Sequence, residues 1–423
     1  MKHTSVHAQS GRGYQSHVWN SCGLSRMGGR KEDLGGDKVA LVDNLRRDFP
    51  ALRQVTYLNT GSFGALPVAA AEQMKETMAQ QCTEGREFVC SKLAEVQRDI
   101  REQLTSLFHV DANSWALTDS TAQGANAVLW GLALVQGDEI LVTDNQHPEF
   151  LLPVFVQKQR RGVVVRRVQI SSQLDIMMEA LEAAVTSRTR LLVCSQVSYL
   201  TGHRLPVEKI IQWAHGRGIL VLLDGSQGAG AEDLGLRELN ADFYTFPGHK
   251  WLCGPEGTGA LYVRQELVSM VEPTFVGTAS LRHQMDWTSD GFYLPSERSN
   301  RFEYSTANMA VWVGWQESLK YLRIQTGWEY IFTRTKGLSG SLLDRLLDLP
   351  HVRVVTPRDA RVGLVSFQVT GFSAARVVEA ARQRGIQMKL LAAHNMVRVS
   401  TGFYNTEEEL ERLVGFLQSP GNW

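Results

Sequence analysis

One stretch limits the folds open to this chain more than any other: Gly218-Ile-Leu-Val-Leu-Leu-Asp224, an unbroken apolar run ending on a carboxylate. A strand that is apolar on both faces must be covered on both, the situation of an inner strand in a parallel sheet sandwiched by helices. Its neighbours share the pattern. Strands at 163–168 and 191–194 alternate with helical patterns at 174–185 and 207–217, and two more buried strands read at 243–246 and 260–263. Repeated β-α-β units of this kind build a mostly parallel, doubly covered sheet. Ligand-facing groups in such sheets stand at the carboxyl ends of the strands, which makes Asp224 a candidate.

Between the last two strands, Gly248-His-Lys-Trp-Leu-Cys-Gly-Pro-Glu-Gly-Thr-Gly259 sets Lys250 in a short, glycine-flanked apolar turn. Burial of an ammonium lowers its pKa and yields an amine able to form a Schiff base with an aldehyde. Alone, Lys250 reads equally well as a surface lysine in a turn. Paired with the strand-end Asp224 it meets both demands of pyridoxal phosphate, an amine for the aldehyde carbon and a carboxylate that keeps the pyridine nitrogen protonated. A dinucleotide reading of Gly225-Ser-Gln-Gly-Ala-Gly230 fails, because the spacing is not G-x-G-x-x-G and Asp224 would face the pyrophosphate.

The 423 residues, 43% of them hydrophobic, suffice for a large core divided between two domains. Lys+Arg and Asp+Glu both number 44, so no bulk charge recommends a nucleic-acid or membrane partner. Cys22, Cys82, Cys90, Cys194 and Cys253 lack CxxC or metal-ligand spacing and read as reduced thiols of a cytoplasmic protein. No run reaches membrane-spanning length. Residues 1–40, rich in Gly, Ser, His and Arg, read as a disordered leader, with Glu32, Asp33 and Asp37 arguing against a transit peptide.

Leu223-Asp-Gly-Ser-Gln-Gly228 followed by the Lys250 turn resembles the class V aminotransferases of fold type I, the group of cysteine desulfurases, cysteine/cystine C-S lyases and isopenicillin N epimerase. The resemblance spans roughly Tyr57 to Asn405. It implies an α/β fold: a large domain (66–308) with a mostly parallel seven-stranded sheet, a smaller α+β C-terminal domain (309–423), and an N-terminal segment (41–65) packed with the small domain. It also implies pyridoxal 5'-phosphate, an amino-acid substrate and a homodimer. Helical patterns begin near Val68 and near Ser91, and the turn Thr118-Asp-Ser-Thr-Ala-Gln-Gly-Ala-Asn126 opens a helix whose free N–H groups suit a phosphate. The resemblance puts the phosphate contact at Ser120, Thr121 and Ala122, where an uncomplexed N-cap is the plain alternative.

By the same resemblance His147 stacks on the cofactor ring, Gln227 bonds its phenolic oxygen and His249 donates to the phosphate. Thr306, in Asn300-Arg-Phe-Glu-Tyr-Ser-Thr-Ala-Asn308, reaches the partner's phosphate. Asn59, Thr60 and Ser62 become candidate substrate contacts. Tyr199 stands where desulfurases carry Asn, and Arg398 is the fork for an α-carboxylate. Pro247 replaces a usual hydroxyl donor, a loss for which Thr245 is the candidate substitute.

Desulfurases need a loop cysteine shortly before that arginine. Here Gly385-Ile-Gln-Met-Lys-Leu-Leu-Ala-Ala-His-Asn-Met-Val-Arg398 has none, and no cysteine follows Cys253. The expectation is therefore a C-S lyase performing β-elimination on cysteine or cystine, with epimerase or aminotransferase chemistry, or an inactive cofactor-binding homologue, as alternatives.

Overall fold

A computed structural model describes residues 36–419. A helix begins at Gly36 and runs to Arg47, and the leader before it lies outside the described residues. In chain order the strands are β1 (Thr56–Tyr57), β2 (Trp115–Thr118), β3 (Glu139–Thr143), β4 (Val164–Val168), β5 (Thr189–Ser195), β6 (Leu220–Asp224), β7 (Phe243–Pro247) and β8 (Gly259–Val263). They continue with β9 (Val352–Val354), β10 (Leu364–Val369), β11 (Ile386–Gln387), β12 (Lys389–Leu391) and β13 (Met396–Ser400).

Seven strands form one sheet in the order β2-β8-β7-β6-β5-β3-β4. Every pair from β4 to β7 is parallel, and β8 joins β7 and β2 antiparallel. The apolar run in β6 shows why it lies inside. Val221 and Leu223 pack with Ile210, Ile211 and Leu181 from helices Val207–His215 and Leu174–Ala184, while Leu222 packs oppositely with Val128 and Val154 from helices Thr121–Gly131 and Pro148–Arg161. Each such side chain contributes about 1.5–3 kcal/mol on full burial; a polar residue at any of the three would break a covered face.

Helix Pro148–Arg161 has no counterpart in the sequence reading, which leaves a loop after His147. Its apolar residues crowd together and Pro153 lies inside it, masking a clean 3.6 period. The local start signal is nonetheless present: Pro148 opens the first turn and His147 Nδ1 caps it by accepting from Glu149 N at 3.3 Å. The helical region near Ser91 also divides, into Arg86–Cys90 and Leu93–Phe108, after Gly85 at φ 93°.

A second sheet, β12-β13-β10-β9, is antiparallel throughout. Period-2 alternation sends Val365, Phe367, Val397 and Val399 into a core with Leu342, Val377 and Leu410 of the C-terminal helices. The other face carries Leu364, Ser366, Arg398 and Ser400 and meets the large sheet: Leu364 clusters with Val197 and Trp251, and Ser366 Oγ donates to the Leu200 carbonyl at 2.7 Å. Helix Met309–Lys320, at the head of the expected C-terminal domain, buries Trp312, Trp315 and Leu319 in the large-sheet core, so packing joins the two.

The N-terminal segment stitches these parts together. Leu58 N donates to Gln387 O at 3.0 Å, Ser400 N to Leu58 O at 2.9 Å, and Gly64 N to His249 O at 2.8 Å. A Cβ on Gly64 would stand 2.0 Å from the Lys250 carbonyl oxygen, so only glycine admits this approach.

Candidate active site

The sheet sets Asp224 and Lys250 at adjacent strand ends. Asp224 closes β6, is 5% exposed, and accepts from Ser226 N at 2.8 Å through Oδ1. β7 ends one strand over, and its return loop folds on itself through Gly254 N to Gly248 O (2.9 Å) and Cys253 N to Lys250 O (3.0 Å). The Lys250 side chain, half-buried on that loop, has no hydrogen bond or ion pair to a described residue. Desolvation pulls its amine down to about 8, with the Asp224 carboxylate pulling the other way, so the two groups share one electrostatic environment.

Around them stand His147, Tyr199 and His249. Burial first, and the Lys250 cation second, hold the His147 imidazole below its ordinary range and hence neutral; with Nδ1 accepting from Glu149 N, the ring proton is assigned to Nε2. The Tyr199 ring meets it edge-on at 4.7 Å. His249 is likewise lowered by desolvation and then by Lys250, and its ring lies 5.4 Å from that of Phe63.

Arg398 is the second charged anchor. It is 3% exposed, and its Nη1 and Nη2 donate to the Tyr199 carbonyl (2.9 Å) and Ser62 Oγ (3.0 Å), both neutral. Burial without a carboxylate lowers even this guanidinium, to about 10. Its Nε, together with Asn59 Oδ1, His249 Nδ1 and Ser400 Oγ, is buried with no hydrogen-bond partner among the described residues. Each such orphan costs about 1–3 kcal/mol, so four on the segments that meet at Lys250 and Arg398 point to a polar occupant.

Other anticipated residues are engaged elsewhere. Thr121 is buried with its hydroxyl 3.2 Å from Ser226 Oγ, and Ser120 caps the helix by accepting from Gln123 N at 3.2 Å. Thr121 and Ala122 therefore offer backbone N–H groups at the helix start. Thr245, the candidate substitute at the Pro247 position, points beneath that helix, where its Oγ1 lies 2.2 Å from a Cβ built on Gly124; a strand residue alternates, and this one faces the helix layer. Gln227 donates to Gly61 O at 2.9 Å and accepts from Trp251 Nε1 at 3.1 Å, keeping one amide hydrogen in reserve. Thr60 is spent on Tyr404 OH at 2.8 Å. Thr306 is exposed and lines a cavity of about 350 Å³ with Asp119 and Gln123.

Sequence reasoning missed three contributors. Trp251, next to the lysine, fixes Gln227 and packs over Gly363, so a Cβ there would stand 2.4 Å from its ring. Glu149 and Lys389 add their charges to the field at Lys250. Only Trp251 had a sequence signal, its place beside the lysine.

A seven-stranded, mostly parallel sheet with a lysine loop, a strand-end carboxylate and a second antiparallel sheet is the fold type I architecture of pyridoxal phosphate enzymes. The chain belongs to the aminotransferase class-V family, whose profile matches residues 67–413. It is 28% identical over 391 residues to a probable cysteine desulfurase of Methanothermobacter thermautotrophicus, covering 88% of this chain and 96% of that protein. A cysteine desulfurase of Serratia proteamaculans is 28% identical over 401 residues, covering 89% and 97%. Among solved structures, the cystine C-S lyase C-DES in complex with its product cysteine persulfide superposes with TM-score 0.82 at 29% identity, covering 88% of this chain and 99% of that one. A C-DES mutant with glycine covalently linked to its PLP cofactor gives TM-score 0.82 at 28% identity, covering 88% and 98%.

Proposed function

We propose that this protein is a cytoplasmic, homodimeric, pyridoxal phosphate-dependent C-S lyase that eliminates sulfur from L-cysteine or L-cystine. The residues present fit the cofactor: an amine near pKa 8 without a side-chain partner among the described residues, a buried carboxylate on the neighbouring strand end, and orphaned polar atoms around them. When bound, pyridoxal phosphate supplies an aldehyde that condenses with amines and a ring that draws electron density from the α-carbon.

Lys250 would hold the cofactor through its Nζ, and the same amine is the group that would take the proton from the substrate α-carbon. Asp224 would keep a proton on the ring nitrogen. His147, neutral, would stack on the ring, and Gln227 would offer its remaining amide hydrogen to the phenolic oxygen. The N–H groups of Thr121 and Ala122, with His249, would hold the phosphate, and the partner subunit's Thr306 would complete it; exposed Phe275, its ring 5.6 Å from that of exposed Tyr304 beside this segment, supports a covered interface. Arg398 grips the substrate α-carboxylate with Nε and Nη2 while Ser62 and the Tyr199 carbonyl fix its plane, and Asn59 and Tyr199 border the side chain.

For cystine the products balance as pyruvate, ammonia and cysteine persulfide after one water is consumed; for cysteine, as pyruvate, ammonia and hydrogen sulfide. The observation that carries elimination over persulfide transfer is the segment before Arg398. Lys389–Leu391 and the turn Ala392–His394 hold no thiol, and burial pushes the Cys194 and Cys253 thiols up to about 12. Incubation of the holoenzyme with cystine should release pyruvate in step with persulfide. A D-amino acid or a keto acid retaining sulfur, in place of pyruvate, overturns the lyase reading.

A further inference from the structure

The turn that carries Asp224 and Gln227 rests on a chain of polar side chains inside an otherwise apolar core. Gly225 N donates to Thr245 O at 2.9 Å, and Gln196 N, one strand over, donates to Asp224 O at 2.9 Å. Two of the turn's glycines lie directly against side chains: a Cβ on Gly225 would strike the Tyr244 ring, and one on Gly228 the Gln196 amide. Those two side chains are bonded to each other, with Tyr244 OH donating to Gln196 Oε1 at 2.6 Å. Gln196 Nε2 in turn donates to Glu232 Oε1 at 2.6 Å, and Arg204 Nε donates to Glu232 Oε2 at 2.7 Å. Glu232 comes back to the turn through its own N–H, which donates to Gly228 O at 3.2 Å.

Tyr244 and Gln196 are fully buried. Burial first, then the Glu232 and Asp224 carboxylates, push the Tyr244 phenol well above its ordinary value, so it remains a donor. With that proton given to Gln196, every bond in the chain has one direction: phenol to amide oxygen, amide N–H to carboxylate, guanidinium to carboxylate. A buried polar chain adds little stability over apolar side chains of the same volume. When all its members are satisfied, what it adds is a fixed geometry. Here that geometry bears on the stretch from Asp224 to Gly228, where the glycines let the backbone lie flush on Tyr244 and Gln196.

We propose that Gln196 and Glu232, acting through Tyr244, are positioning residues that hold the Asp224 carboxylate in line with the cofactor's ring nitrogen, an inference that rests on the assignment of Asp224 to that ring. The test titrates the Gln196→Leu, Glu232→Ala and Tyr244→Phe proteins with pyridoxal phosphate and reads the Kd and the pH midpoint of the bound cofactor's visible absorbance. A ring nitrogen less firmly protonated draws less electron density from the Lys250 nitrogen, so the midpoint should move up. Kd should rise about tenfold in the first two variants, the lower range for loss of a supporting partner, and less in Tyr244→Phe, which keeps the ring that fills the core. Asp224→Asn, which removes the carboxylate itself, should move the midpoint further in the same direction. Leu342→Ala, in the core of the second sheet, should lower Tm and leave the midpoint in place. Unmoved midpoints in the three network variants beside a moved one in Asp224→Asn overturn the proposal and spare the site. No movement in any of the four overturns both, and an equal movement in Leu342→Ala overturns the proposal by tracing it to lost stability alone.

Discussion

The large sheet and the four-stranded sheet contribute opposite kinds of chemistry to one place. At the end of β6 and β7 the charges are matched locally: an amine lowered to about 8, on the loop that follows β7, shares its field with the carboxylate at the end of the neighbouring strand β6. Across from it, the four-stranded sheet offers Arg398 and Lys389 with no carboxylate paired to either among the described residues. The first arrangement is suited to holding one resident group permanently. The second leaves positive charge unmatched until an anion arrives, which suits a ligand that comes and goes.

Under the proposed reading the two halves should fail differently. Lys250→Ala, on the cofactor side, should lower kcat/KM for pyruvate release on the order of 10³-fold or more, with circular dichroism unchanged; wild-type turnover in that variant would dissolve the distinction. Arg398→Met should cost about 10²-fold in kcat/KM, most of it in KM, because a desolvated partner for a carboxylate is lost. An unchanged KM would move Arg398 to the cofactor side of the comparison.

A pH profile sharpens the first half. With the amine at about 8, the rate at which apo-protein captures pyridoxal phosphate should rise about tenfold from pH 7 to 9 and then level off. A surface lysine would keep gaining up to its ordinary value near 10.5, so a continued rise past pH 9 contradicts a desolvated Lys250. The linked stability term has a definite sign. The folded-state pKa is lowered, so the cost of burying the ammonium is present in full below about 8 and fades as pH climbs toward 10.5.

The smallest effect probes the seam. Gly64→Ala drives a methyl against the Lys250 carbonyl and should lower stability by about 1–3 kcal/mol, read as a fall in Tm, with catalysis declining alongside. No shift in Tm would mean the N-terminal segment is not clamped on the lysine loop.

The doubly covered sheet was legible because β6 is apolar at consecutive positions, and only an inner strand of a layered sheet buries both of its faces. Asp224 and Lys250 were legible as a pair because strand ends and glycine-rich turns announce themselves locally. The helix at Pro148–Arg161 was not, since its apolar residues follow no 3.6 period, although Pro148 and the His147 cap mark its start. Nor could the sequence tell that the Thr121 and Thr245 hydroxyls turn inward, which depends on how the helix seats on the sheet.

Taken alone, the order of residues determined the layered α/β class, the lysine-carboxylate pair and the lack of a thiol before Arg398, because each is a property of contiguous chain. The tertiary structure decided that Gly64 touches Lys250, that Trp251 and Gln227 lock together, and that Lys389 shares a face with Arg398. Those depend on strand register and on backbone approach between distant segments, and local patterning carries neither.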